Sequence, residues 1–376
     1  MKKKSKQTLV VKIGSSSLTD SLGYLAKEKI QYFAKDVAKL KALGHRVVIV
    51  TSGSIAAGFS LLGYKERPKT VEGKQAAAAV GQGLLIEEYT KALKKYHCLA
   101  AQILLTRGDF SDKRRFKNAA RTLEVLLEKG AVPVINENDT VSIEELKFGD
   151  NDTLSAHVAS MVHADLLLIL TDIDGLYTAD PRKDSNAERL NYIEEITKEI
   201  EDLAGSAGSS IGTGGMRSKI IAAKISTTSG VPVLITSAGE NSIYNSIEGT
   251  IEGSYFEGRK RKLKNKLHWV TFYSHSKGTL IIDSGAQEAL SKGGKSLLPK
   301  GIIKVVGNFS PGDVVEVVNN NKKLIGKGLV EYSSSELIEL KGLSSLDIKK
   351  VTGRTKTVAI HRDNWIGNET MKKEGI

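Results

Sequence analysis

Residues 132–152 read VPVINENDTVSIEELKFGDND. The stretch begins as a short apolar strand over 132–135 and ends where a helix starts. Between the two lie Asn136, Glu137, Asn138, Asp139, Asp150, Asn151 and Asp152. Carboxylates and amides gathered at a strand's exit suit recognition of a small polar molecule, because ligands of open α/β sheets sit outside the carboxyl ends of the strands. The plainer alternative is a polar surface loop with Asp152 capping the next helix. Recurrence of the pattern at other strand exits favours a site.

Working outward, residues 8–13, TLVVKI, read as a buried strand followed at once by Gly14-Ser15-Ser16-Ser17. Lys12 interrupts an apolar run, and a lysine there must snorkel or meet an anion, since burying it unpaired is costly. A helix over 27–43 stops at Gly44. The strand 46–51, RVVIVT, ends in Ser52, Gly53 and Ser54. This is not a G-x-S-x-G elbow, so Ser52 is no hydrolase nucleophile. Small residues with bare backbone N–H groups suit phosphate or carboxylate binding, or simply a tight strand-to-helix turn. Residues 71–95 form a helix whose QAAAAVGQG run serves close helix packing, including packing between subunits. A strand over 98–106, a helix over 114–129 and a helix over 153–163 that begins at Asp152 follow. His157 and His163 lack metal-ligand spacing and are structural.

The strand 165–171, DLLLILT, ends at Asp172. The glycine-rich segment GSAGSSIGTGGMRSK then opens a helix over 216–228, closed by Gly230. Arg217 and Lys219 in its first turn oppose the helix dipole, which points to an anion bound there. Neither a Walker A sequence nor a complete G-x-G-x-x-G occurs, which removes the usual P-loop and dinucleotide readings. Residues 231–236 add a further strand. Alternation of strands and helices from 8 to 236 predicts an open, mostly parallel α/β sheet sandwiched by helices.

The character changes afterwards. GSYFEGRKRKLKNKLHW is basic and weakly periodic, and the runs TLIID, IIKVVG, DVVEVV, LIGKGLV and TVAIH follow between Gly, Pro and Asn turns. The expected organisation is a first domain over 1–252, a basic linker over 253–275, a small mainly β domain over 276–364 and a tail over 365–376. A length of 376 residues accommodates this division. Hydrophobic content of 40% and charged content of 26% are ordinary globular values. No apolar run reaches the roughly 20 residues a membrane span needs. The basic start, MKKKSKQ, lacks a secretory apolar region, so a cytoplasmic location is expected. With Cys98 the single cysteine, an internal disulfide or a cysteine metal cluster is excluded. The net charge of +12 permits nucleic acid or another acidic partner without demanding one.

Four strand exits, at 12–17, 51–54, 136–152 and 171–172, and the helix start at 213–219 thus carry polar or glycine-rich ends. With Lys12 and Lys219 arriving from opposite ends of the domain, the set fits phosphoryl transfer, which needs charge compensation and positioning more than covalent work. A carboxylate acceptor would need no general base, in keeping with the lack of an obvious catalytic histidine.

VVKIGSSSLT, VIVTSGSIAAG, PVINENDTV, FGDNDTLSA, LLLILTDIDGLYTADPR and GTGGMRSK together resemble the glutamate 5-kinases of the amino-acid kinase superfamily. GTLIIDSGAQEAL, SLLPKGI and VGNFSPGD resemble a PUA domain, a module of RNA-modifying enzymes. The resemblance covers nearly the whole chain, with the motifs in order. It implies ATP-dependent phosphorylation of the γ-carboxylate of L-glutamate to glutamyl 5-phosphate, the first step of proline biosynthesis. Mg²⁺ would come with ATP rather than on a protein-only metal site, and proline would inhibit by feedback. A homo-oligomer is expected. By the same resemblance Lys12, Lys219 and Asp152 are catalytic, Asp152 holding the two lysines. Ser52, Asp139 and Asn151 bind glutamate. Lys12, Thr171, Asp172, Thr213, Gly214, Gly215, Met216, Arg217, Ser218 and Lys219 bind the nucleotide. Gly14 and Gly53 offer backbone N–H groups to the transferring phosphoryl. Ser15 stands where threonine is common and keeps the hydroxyl; Ser17 replaces an apolar residue.

Sister kinases acting on aspartate, acetylglutamate, carbamate or UMP are the nearest rivals, because fold alone does not set substrate. PVINENDTV and the appended β domain favour the glutamate enzymes. An RNA-binding protein is the rival of another class, resting on the PUA-like domain and on Arg259, Lys260, Arg261, Lys262, Lys264 and Lys266. Against it, the basic run lacks interleaved aromatics for base stacking, apart from flanking Tyr255, Phe256 and Trp269.

Overall fold

A computed structural model describes residues 6–141, 150–206, 215–259, 269–270, 274, 276–292, 294–353 and 357–368. The chain divides into two compact units, residues 1–109 with 114–262, and residues 110–113 with 263–376.

The first unit begins with β1 (Thr8–Ile13), α1 (Lys27–Ala42), β2 (Arg46–Thr51), α2 (Ser54–Gly58), α3 (Val71–Lys94), β3 (Ala100–Leu105), α4 (Arg107–Ser111), α5 (Lys113–Glu128) and β4 (Val132–Glu137). It continues with α6 (Asn151–Met161), β5 (Leu166–Thr171), β6 (Tyr192–Ile193), α7 (Lys198–Ser206), α8 (Met216–Thr228), β7 (Val233–Ser237), α9 (Ser242–Glu248) and β8 (Ser254–Phe256). The strands form one sheet in the order β3-β4-β2-β1-β5-β7-β8-β6, and only the β7–β8 pair is antiparallel. Every residue of β1 is buried, Lys12 included. Near-continuous apolar runs, here broken by Lys12, are what a parallel sheet covered on both faces requires. Leu9, Val11, Ile13, Ile49, Val134, Leu168 and Leu170 pack with Phe33, Val37, Leu85 and Tyr89 of α1 and α3 into the core. Because β4, β2, β1 and β5 run parallel, their carboxyl ends meet along one edge.

One expectation changes here. Helix α6 starts at Asn151, not Asp152, and its cap is Asp150, whose carboxylate accepts the Thr153 N–H at 2.9 Å. Asp152 is fully buried and turned inward. The small-residue run makes the close helix packing expected of it, against α2 of the same chain. A Cβ on Gly81 would lie 1.8 Å from the Ser54 carbonyl oxygen, and one on Gly58 would lie 2.1 Å from that of Ala77.

The second unit contains β9 (Gly278–Ile282), α10 (Ser284–Ser291), β10 (Ile302–Gly307), β11 (Val314–Asn319), β12 (Leu324–Val330), α11 (Ser334–Leu340), α12 (Ser345–Thr352) and β13 (Ile360–Gly367). Its sheet runs β10-β9-β11-β12-β13, with Leu280, Ile282, Val315, Val317, Val330 and Ile360 in the core. The three helices add to the expected strands. Capping boxes, Ser333 with Glu336 and Ser344 with Asp347, start α11 and α12. Most of TVAIH precedes β13, which reaches Gly367 because Ile360, Asn364 and Ile366 turn inward; residues 365–367, expected in the tail, are therefore strand.

Residues 254–256, expected to open the linker, form β8 inside the first sheet, and the Ser254 hydroxyl accepts the Leu176 N–H at 2.8 Å. Phe256 is fully buried and Trp269 is 7% exposed, so neither is offered to bases, while Tyr255 is half-buried and stacks on Tyr192. Lys260, Arg261, Lys262, Lys264 and Lys266 lie outside the described residues. No described helix is long and apolar enough to cross a membrane.

Candidate active site

Strand β1 delivers Lys12 to the sheet edge, and α8 delivers Lys219 from the other end of the unit. Both ammonium groups meet Asp152 on the first turn of α6. Lys12 Nζ lies 2.5 Å from Asp152 Oδ1 and Lys219 Nζ lies 3.2 Å from Oδ2. The Ser218 hydroxyl is 2.8 Å from Oδ2 and 2.9 Å from the Gly215 carbonyl. Ser218, expected on the nucleotide, thus also braces the carboxylate.

Both lysine side chains are 6% exposed and that of Asp152 is 0% exposed, so the three charges share a dry site with one positive charge in excess. Burial alone would raise the Asp152 pKa, but Lys12 and Lys219 outweigh it and hold the carboxyl below its ordinary value. Asp150 moves the other way. Burial and the neighbouring Asp152 charge raise its pKa against the Thr153 N–H, Lys12 and Ser218.

The residues expected to bind glutamate, Ser52, Asp139 and Asn151, sit in a second set of contacts. Asn151 Nδ2 reaches the Thr51 carbonyl at 2.7 Å, Ser52 Oγ at 3.0 Å and Asn136 Oδ1 at 2.9 Å. Asp139 accepts the Ser54 hydroxyl at 3.3 Å through its carboxylate, and Gln75 Nε2 at 3.2 Å through its backbone carbonyl. Burial lowers the Arg67 pKa while the Asp139 charge opposes that, which places Arg67 within the carboxylate's field.

Gly14 follows β1, and a Cβ there would come within 3.4 Å of Lys12 Nζ. Gly53 sits at φ +104°, a conformation that favours glycine, between β2 and α2. Thr171 and Asp172 end β5, the threonine hydroxyl donating to Asp172 Oδ1 at 2.9 Å. They line a cleft with Leu176, Tyr177, Gly215, Met216 and Lys219. Arg217 is exposed and takes no part in that lining. Thr213 and Gly214 lie outside the described residues. Among the described residues no group of three His, Cys, Asp or Glu side chains is arranged to hold a metal.

Sequence reasoning passed over Asn136 as a partner of Asn151, and Gln75 and Gln82 on α3. The NEND run signalled the first. The glutamines were hidden in a run read for its small residues.

Residues 7–237 match the amino acid kinase family and residues 278–352 match the PUA domain. Over 360 residues the chain is 51% identical to a glutamate 5-kinase of Streptococcus pneumoniae, covering 95% of each chain. It is 48% identical over 363 residues to a glutamate 5-kinase of Bacillus cereus, covering 96% of this chain and 99% of that one. A carbamate kinase from Giardia lamblia bound to AMP-PNP superposes with a TM-score of 0.52 at 16% identity, over 68% of this chain and 99% of that one, a likeness of fold alone.

Proposed function

The chain belongs to the amino acid kinase family, and on that premise we propose that it transfers the γ-phosphoryl of ATP to the γ-carboxylate of L-glutamate. The product is glutamyl 5-phosphate, formed in the cytoplasm as the first step of proline biosynthesis. The observation that carries the chemistry is the buried carboxylate of Asp152 holding Lys12 and Lys219 at one point. The choice of glutamate rests on similarity along almost the full chain.

An oxygen of the ionised γ-carboxylate attacks the γ-phosphorus, a new O–P bond forms, and the bond to the β–γ bridging oxygen breaks to release ADP. No proton needs removing from the acceptor. Lys12 and Lys219 stabilise charge moving onto the bridging and non-bridging oxygens, and Asp152 keeps the two ammonium groups from separating. Backbone N–H groups of Gly14 and Gly53 donate to the phosphoryl. Ser52, Asp139 and Asn151 hold glutamate, with Asp139 toward its ammonium group. Thr171, Asp172, Gly215, Met216 and Lys219 shape the nucleotide cleft. Mg²⁺ would come with the nucleotide's phosphates, where it would supply charge neutralisation.

The test is ATP turnover with L-glutamate, L-aspartate, N-acetylglutamate, carbamate and UMP. Glutamate should be the preferred acceptor and N-acetylglutamate a poor one, because acetylation removes the charge that Asp139 recognises. Equal turnover of those two would overturn the assignment. Feedback inhibition by proline and assembly as a homo-oligomer belong to the same proposal, checked by initial rates with added proline and by sedimentation. The PUA match and the net charge of +12 support RNA binding as a second activity. Salt-dependent retention of the full chain on RNA tests that reading.

A further inference from the structure

Helix α3 reaches the acceptor side of the site twice. Gln75 and Gln82 lie about two turns apart, hence on one face. Gln75 holds the Asp139 backbone, and Gln82 Oε1 accepts from Asn136 Nδ2 at 2.8 Å. Asn136 is 2% exposed, and its Oδ1 accepts from both the Glu137 N–H and Asn151 Nδ2, each at 2.9 Å. Asn151 Nδ2 in turn faces the Thr51 carbonyl and Ser52 Oγ.

The three side-chain amides therefore run head to tail. Turning Asn136 over would set its NH₂ against two donors. Turning Asn151 over would set its oxygen against the Thr51 carbonyl and Asn136 Oδ1. In the order observed, the Asn151 side-chain oxygen faces away from these partners, and among the described residues no side chain donates to it. Glutamate at neutral pH carries one kind of hydrogen-bond donor, its ammonium group.

We infer that Gln82 is a positioning residue for the acceptor. It anchors the Gln82–Asn136–Asn151 order that leaves the Asn151 oxygen, rather than its NH₂, to receive the substrate's ammonium group. The inference rests on the glutamate reading above. Gln82 is half-buried on a helix and outside the lysine cluster, so its effect belongs to acceptor binding and not to charge stabilisation.

The experiment is steady-state kinetics on the full chain with Gln82→Met and Gln82→Glu. Methionine keeps the length and loses the acceptor atom; glutamate keeps the acceptor atom. Gln82→Met should raise the KM for glutamate roughly tenfold, the scale of one lost hydrogen bond to a buried amide, with kcat and the KM for ATP within about twofold. Gln82→Glu should keep the KM for glutamate within about threefold. A merely structural role would not be rescued by the charged variant, nor would it single out one KM. The inference is overturned if Gln82→Met leaves the KM for glutamate unchanged, if Gln82→Glu raises it as far as Gln82→Met, or if the KM for ATP rises in parallel. Gln82→Leu, read the same way, replaces Gln82→Met if that protein does not fold. Failure of the unaltered chain to phosphorylate glutamate would instead overturn the glutamate reading itself.

Discussion

Asp152 is buried between two lysines while the helix cap beside it is supplied by Asp150. Replacing Asp152 by asparagine therefore removes a charge without removing a cap. We expect Asp152→Asn to fold, by circular dichroism, and to lose most of its kcat, because Lys12 and Lys219 then repel each other with nothing between them. Lys12→Ala and Lys219→Ala should each lower kcat by roughly 10²-fold or more, the scale for one preorganised charge-stabilising group. Lys219 lines the cleft proposed for the nucleotide, so its loss should also raise the KM for ATP. Near-normal kcat in a folded Lys12→Ala or Asp152→Asn protein would remove that residue from the mechanism. The two aspartates respond to pH in opposite senses. The Asp152 pKa is depressed on folding, so its stabilising contribution is present above the unfolded value of about 3.9 and is lost only as pH falls through the folded one. The Asp150 pKa is raised, so its contribution is present below the unfolded value and is lost as pH rises through the folded one. Asp150→Asn keeps a capping oxygen and should melt above the unaltered protein at pH 7, with the gap narrowing toward pH 4. Thermal melts at the two pH values check this, and an equal gap at both would contradict it.

Helices α2 and α3 touch backbone to backbone, and the Ser54 carbonyl that a Gly81 side chain would strike directly follows Gly53. Gly81→Ala must push α2 away and move the turn that carries Ser52 and Gly53. We expect a loss of about 1–3 kcal/mol or more, with reduced turnover. Gly83 has open space around its Cβ position, so Gly83→Ala should stabilise the same helix by about 0.5–1 kcal/mol. Denaturant melts of both variants separate packing from propensity; similar effects would undo the packing account. The central strands were legible because β1, β2 and β5 are mainly apolar, broken in β1 only by Lys12, and β4 opens with an apolar run before Asn136 and Glu137. The cap of α6 was misplaced because Asp150, Asn151 and Asp152 all cap well, and only tertiary contacts decide which faces inward. Strands β6 and β8 escaped notice at two and three residues, too short to show a period. The helices α11 and α12 could have been found from Ser333–Glu336 and Ser344–Asp347, spaced as capping boxes.

At the scale of the whole chain, convergence of Lys12 and Lys219 on Asp152 could not be read from spacing; motif resemblance pointed to it, and the parallel sheet explains it by bringing the strand ends to one edge. Where the first unit ends was harder to read, because the last strand of its sheet, Ser254–Phe256, is followed in sequence by the basic run and flanked by the same glycines. That strand pairs with β7 on one side and β6 on the other, and Phe256 is fully buried. A chain ending at Gly253 therefore strips the sheet of an interior strand, leaves the Leu176 N–H without the Ser254 hydroxyl and opens the core beside the cleft proposed for the nucleotide. A chain ending at Lys262 keeps every strand of that sheet and every proposed site residue. It loses the bond from the Trp269 indole N–H to the Phe110 carbonyl, 2.9 Å, because residues 110–113 are grouped with the second unit. We expect the Lys262 form to melt at a lower temperature than the full chain yet to phosphorylate glutamate at a comparable kcat. The Gly253 form should be insoluble or inactive. Folding by circular dichroism and ATP turnover on both forms decide the matter. A soluble, folded and dead Lys262 form would mean that the PUA domain takes part in catalysis, whereas an active Gly253 form would mean that β8 is dispensable to the kinase sheet.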